Sequence, residues 1–166
     1  MSQLKPLSTD AIPNALTRAK HYRLLNEPWQ AESICRDILK TEPNHQRALL
    51  YLILAITDQF GSEKGTSSVK AKELCAQLTS NYEQQYYRGI IEERLGKTAL
   101  KRDSPRVVYI AYEHYKNAME FYEKAEKIHP KNNQDAVLRW NACLRRIQEF
   151  NLKPSSEMDR VQPFME

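Results

Sequence analysis

The sequence predicts an all-α fold, a stack of about three helical hairpins closed by a further helix, about seven helices in all. Three observations carry that prediction. Apolar residues recur at helical spacing along nearly the whole 166-residue chain, as one-sided burial of a helix requires. Only four glycines and almost no period-two alternation of β-branched residues leave little material for strands. Finally, one frame of small and apolar residues occurs three times. Its clearest copy is Ala118, Tyr122 and Ala125, closed by Pro130, at offsets of 4, 7 and 12. Ala31, Cys35, Ile38 and Pro43 repeat all these offsets, while Ala71, Cys75 and Leu78 repeat the first two and have Glu83 where the proline should be. Recurrence at a period of a few tens of residues marks stacked units, each burying its neighbour's apolar face.

The first helix is expected from just after Asp10, whose side chain can cap exposed N–H groups, to about Leu25, with Ala15, Ala19 and Tyr22 inward. Asn26 tolerates the left-handed conformation that ends a helix, and Pro28 suits the first turn of the second. That second helix buries Ala31, Ile34, Cys35, Ile38 and Leu39 and stops before Pro43, since a proline drives the preceding residue out of helical geometry. With Asn44 as cap, the third helix is expected to span Ala48 to Asp58, and Ser67 or Ser68 can cap a fourth carrying Ala71, Leu74, Cys75 and Leu78. The connection from Phe60 to Ser68 is rich in Gly and Ser, which predicts a longer and more mobile turn than the one at Asn26 and Glu27.

A fifth helix is predicted from Tyr82 to Leu95, with Gly89 for close helix contact and Gly96 as terminator. Ser104-Pro105 then starts a sixth helix that meets no breaker until Pro130, so it has extra turns bearing Val108, Tyr109, Ala111, Tyr112 and Tyr115. Those turns project beyond their hairpin unless the stretch from 97 to 106 folds back over them. Left uncovered, they would suit a protein partner or a second copy of the chain, so a homo-oligomer is left open. The seventh helix, about Asn133 to Phe150, carries Ala136, Trp140, Cys143, Leu144 and Ile147 and has no following partner, as befits the last helix of a solenoid. Residues 1–10 and 151–166 are expected to be flexible ends around a helical domain from 11 to 150.

Composition narrows the function. The longest apolar run, Ala48 to Ile56, is far short of the roughly 20 residues that span a bilayer, so no membrane partner is expected. The first ten residues lack a basic region followed by an apolar stretch, which argues against a secretory leader and for a cytoplasmic home. Three cysteines at core positions read as small buried residues instead of bridge partners. A net charge of +4 is a mild excess, below the footprint of a typical nucleic-acid binder.

No catalytic constellation emerges. Gly96-Lys97-Thr98 lacks the earlier glycine of a phosphate-binding loop, for Ile91 stands there, and it follows a helix where that loop follows a strand. The four histidines form no pair at helical spacing and none lies near a cysteine, which argues against a metal site; no cofactor is expected. Cysteines on inner faces make poor nucleophiles, and adjacent carboxylates such as Glu92 and Glu93 diverge on a helix. The turn from Lys97 to Arg106 is a possible basic contact through Lys97, Lys101, Arg102 and Arg106, but no aromatic residue within it can stack on a base.

Together the three frames resemble tetratricopeptide repeats, whose period is about 34 residues in two helices. Ala118 to Pro130 is similar to the second helix of such a repeat, Ala19 to Pro43 to most of a complete one, and Gly89 to Gly96 to the first helix of a third. The resemblance covers residues 11 to 150. Intervals of 40 residues from Ala31 to Ala71 and 47 from Ala71 to Ala118 imply expanded turns in the second and third repeats. What the resemblance implies is a concave groove, lined by the first helix of each hairpin, that holds a peptide or protein segment. By matching positions the groove would show Leu16, Lys20 and Arg23, then Arg47, Leu50 and Leu54, then Tyr86, Ile90 and Glu93. The lysine, asparagine and arginine clamp by which some family members hold acidic C-terminal peptides is absent: Leu16, Lys20, Tyr51, Glu83 and Tyr87 stand there, one cation with a carboxylate that repels. A mixed apolar and basic groove implies an amphipathic or mildly acidic ligand. The expected function is therefore a non-catalytic interaction module or scaffold, with a nucleic-acid-associated protein or an unrecognised enzyme as alternatives.

Overall fold

Backbone breakers divide the chain much as expected. A computed structural model describes residues 2–62 and 67–156, which hold seven α-helices and no strand. They are α1 (Ile12–Leu24), α2 (Pro28–Thr41), α3 (Gln46–Asp58), α4 (Ser68–Cys75), α5 (Asn81–Ala99), α6 (Val107–Glu126) and α7 (Asp135–Glu149). Each helix packs against the next, and α1 also touches α3, as α3 touches α5. None is long and apolar enough to cross a membrane among the described residues.

Several boundaries have identifiable chemistry. Asn26 takes a φ of 59°, and the Glu27 N–H reaches back to the Tyr22 carbonyl at 2.9 Å, closing α1 with a left-handed cap. Asn151 closes α7 in the same way, with φ 48° and the Leu152 N–H on the Ile147 carbonyl at 2.9 Å. Before Pro43, Glu42 leaves helical geometry at φ −127° and ψ 89°, as pre-proline sterics demand.

Other boundaries depart from expectation. Asp10 makes no capping hydrogen bond, because a 3₁₀ turn (Thr9–Ala11) leads into α1. The cap of α3 is His45, not Asn44: its Nδ1 accepts the Ala48 N–H at 3.2 Å. Leu78 lies beyond the end of α4, yet stays buried because three-residue backbone bonds tighten the turn and Gln46 accepts the Thr79 N–H at 2.9 Å. Of the connection from Phe60 to Ser68, residues 63–66 lie outside the described residues. Neither end of the described chain is loose throughout. Leu7 packs on Ile12, Ile38 and Ala48 while its carbonyl accepts from Thr41 at 3.0 Å, and Leu152 is buried beside α7.

The largest revision concerns α5. Gly96 does not end it; the helix runs on to Ala99. A Cβ at Gly89 would lie 2.5 Å from the Tyr122 ring, and one at Gly96 3.0 Å from the Tyr115 ring. The glycines and the tyrosines are each seven residues apart, in opposite order along antiparallel helices, so glycine lies under a ring twice. Both glycines are thus approach points, which free tyrosine rings to fill the seam. The extra length of α5 also covers the N-terminal turns of α6: Ala99 and Ala111 are buried, with Leu100, Val108 and Tyr112 packed alongside. The cover thus comes from the start of the 97 to 106 stretch, as the last residues of α5 and Leu100 after it, where a turn folding back was expected.

Candidate functional site

A cleft of about 490 Å³ opens where α1, α3, α5 and α7 face a common space. Among the described residues its wall carries six cations, Arg23, Arg94, Lys97, Lys101, Arg139 and Arg146, against two carboxylates, Asp58 and Glu93. Each cation follows from helical register. Arg23 stands four residues after buried Ala19 on α1. Arg94, Lys97 and Lys101 mark one stripe that starts on α5 and continues just past its end. Across from them, Arg139 and Arg146 lie seven residues apart on α7 and bracket buried Cys143.

The two carboxylates hold the arginines in place. Asp58 accepts from Arg23 Nε at 2.7 Å and also pairs with Arg94 Nη1. Glu93 accepts from Arg139 Nη1 at 3.0 Å and from the Tyr122 hydroxyl at 2.7 Å. These contacts tie α1 to α3, α3 to α5, and α5 to α6 and α7. Arg146, on the same wall, pairs with Glu149 at 3.0 Å, an exposed pair of little energetic weight. Lys97 and Lys101 have no carboxylate partner among the described residues.

Burial opposes the charge of two of these guanidiniums, and their neighbours then move them in opposite directions. Burial first, then the neighbouring Arg23 and Arg139, push the Arg94 guanidinium down to about 10. Burial opposes the charge of Arg139 too, but Glu93 together with Tyr86 and Tyr122 outweighs it and holds that guanidinium above its ordinary value. Tyr122, buried and facing Glu93, keeps its proton far above the usual tyrosine range. A buried carboxylate outside the cleft, Glu92, 5% exposed, accepts from Lys72 of α4 at 2.8 Å and meets His114 Nδ1 of α6 at 2.8 Å. Burial raises its pKa, yet these two contacts hold it below the ordinary glutamate value.

The sequence-derived groove residues do not form one surface. Arg23 and Glu93 line the cleft. Leu50 and Ile90, 5% and 3% exposed, are core residues, Leu54 packs half-buried against the core shared by α5, α6 and α7, and Leu16 packs on Ile12 and Ile38. Tyr86 stacks on Tyr82 with centroids 5.7 Å apart, while Lys20 and Arg47 are exposed away from the cleft lining. The apolar half of the expected groove is therefore spent on packing. Of the possible basic contacts, Lys97 and Lys101 face the cleft, Arg102 lines a shallower recess beside Phe60, and exposed Arg106 precedes α6.

Arg94, Asp58, Arg139 and Arg146 are the site residues that sequence reasoning missed. Their signal was a charge set into an apolar stripe: Arg94 follows Ile90 and Ile91 by one turn, and Arg139 lies between Ala136 and Cys143. The cysteines bring no chemistry to the cleft. Burial pushes Cys35, Cys75 and Cys143 each up to about 12, so they are thiols at neutral pH. No family model, curated protein or solved structure matches the chain.

Proposed function

We propose that this chain is a non-catalytic interaction module, an irregular tetratricopeptide-like α-solenoid of about three hairpins capped by α7, which holds an acidic peptide or protein segment in the cleft. The observation that carries this reading is the excess of four positive charges in a space shared by α1, α3, α5 and α7. Sequential packing of α1 through α7, with α1 against α3 and α3 against α5, supports a solenoid whose first helices share one side. Since Leu50 and Ile90 are buried, the ligand's charge matters more to this site than an apolar face.

The test is retention of the full chain on an array of acidic and neutral peptides, beside the variant Lys97→Glu/Lys101→Glu. Both lysines are exposed or at the rim of α5, so the variant should fold. Acidic segments should be retained by the wild type and lose about tenfold or more in the variant. Equal retention by both proteins, or no preference for acidic over neutral peptides, would refute the reading.

A further inference from the structure

We infer that the cleft is a phosphate site: the anion it selects, on the partner segment proposed above, is a doubly charged phosphate ester, and a carboxylate side chain is the poorer fit. The inference rests on the cleft as binding site but asks for a different chemistry from that of an acidic peptide alone.

Four of the six cations are arginines, and three of these are fixed by carboxylates. Asp58 engages Arg23 through Nε, which leaves the terminal nitrogens of that guanidinium with no hydrogen bond among the described residues. Arg94 is likewise held by one terminal nitrogen, through Asp58, and Arg139 is held through Glu93 and also meets the Tyr86 hydroxyl. A guanidinium carries five N–H donors, so each keeps donors for a ligand after its structural contact is made. Asp58 and Glu93 thus work as positioning groups that preset converging forks from three helices.

Charge density separates the two candidate anions. A carboxylate brings one charge and two acceptor oxygens; a phosphate ester brings nearly two charges and three acceptors in one group. The cleft crowds its positive charge closely enough that Arg23 and Arg139 disturb the titration of Arg94. One compact dianion can meet arginines from α1, α5 and α7 together, while Lys97 and Lys101 at the rim supply point charges without geometric demand. Thr57, Thr98 and Asn26 add uncharged polar groups to the wall.

The pH response identifies the ligand. The cleft is faced by arginines and lysines from α1, α5, α7 and the end of α5, by Asp58 from α3, Glu93 from α5 and Tyr115 from α6, and by no histidine among the described residues. Burial raises Tyr115 to about 12, so it does not titrate below neutrality. A phosphate ester gains its second charge near pH 6, whereas a glutamate peptide is already ionised at pH 5.5. Binding should therefore strengthen from pH 5.5 to 7.5 for a phosphate probe alone.

The experiment titrates the full chain, by calorimetry at low salt, with three probes: a phosphoserine decapeptide, the same peptide with glutamate in its place, and inorganic tripolyphosphate. The phosphopeptide should bind about tenfold more tightly than its glutamate counterpart, more strongly at pH 7.5 than at 5.5. Lys97→Gln/Lys101→Gln should weaken it severalfold without change in the melting temperature, and Arg146→Gln should act in the same direction. A glutamate peptide that binds as tightly, or a phosphopeptide affinity that ignores pH, overturns the phosphate assignment and leaves the interaction module standing. Tripolyphosphate binding without either peptide upholds the phosphate site and refutes the protein-segment reading. Failure of all three probes overturns both.

Discussion

In α1 to α4 the interior is filled by aliphatic and small side chains, Leu49, Ile53, Ile56, Ala31 and Cys35 among them, whereas between α5 and α6 two tyrosine rings lie over two glycines. The first arrangement places its bulk on many modest residues. The second concentrates it in Tyr115 and Tyr122 and needs a missing Cβ opposite each. A core of the first kind fails when atoms are removed, and a seam of the second kind fails when they are added. The polar joints differ in parallel: buried Glu32 joins α2 to α3 by accepting from Gln59 at 2.7 Å, while Glu93 joins α5 to α6 and α7 at the cleft edge.

Removing atoms from the core of α1 to α4 should have the largest effect. Ile53→Ala, at a fully buried position, is expected to cost about 3 kcal/mol, read as a lower urea midpoint at unchanged slope. A loss under about 1 kcal/mol would mean that this core collapses around the gap and tolerates the loss of atoms. Next comes an addition to the seam between α5 and α6. Gly89→Ala should destabilise by about 2 kcal/mol despite a gain of about 1 kcal/mol in helix propensity, because the Tyr122 ring it meets is fully buried. An unchanged melting temperature would show that the ring can move aside.

The boundary between the halves should reveal itself in acid. Glu92 holds α4, α5 and α6 together through Lys72 and His114, and its pKa is lowered in the folded chain. The unfolded chain therefore takes up this proton at higher pH than the folded one. Its stabilisation is whole above the ordinary glutamate range and is lost as pH falls through the folded value. Glu92→Gln should be less stable than wild type at neutral pH, with the gap narrowing on titration from about pH 5 to pH 3. A gap independent of pH would assign Glu92 a packing role only. The smallest effect is expected of Gly96→Ala, where the 3.0 Å approach to Tyr115 requires a shift of only a few tenths of an ångström. Propensity and crowding should nearly cancel, leaving a change within about 1 kcal/mol by thermal melt.

Legibility in the sequence followed the range of the forces involved. Helix existence and order rest on local spacing, caps and prolines, so all seven helices were expected close to where they lie. Gly96 misled because glycine has two uses, ending a helix and admitting a neighbour, and only the ring of Tyr115 decides between them. Leu50 and Ile90 misled because a matching position in the sequence frame does not say whether the neighbouring helices leave that face open. Arg94 and Arg139 were passed over because a charge in an apolar stripe has meaning only when its partner is known, and Asp58 and Glu93 come from other helices.

By itself the sequence determined an all-helical chain, its seven segments, and the inward placement of Cys35, Cys75, Tyr122 and Cys143, because helical period and breaker chemistry act within a few residues. Only the tertiary structure decided where charge collects. Arg23, Asp58, Arg94 and Arg139 are separated by tens of residues and belong to four helices, and long-range packing alone brings them to one cleft. The modest net charge of +4 does not foretell this, since a sum over the chain carries no information on how its terms are placed.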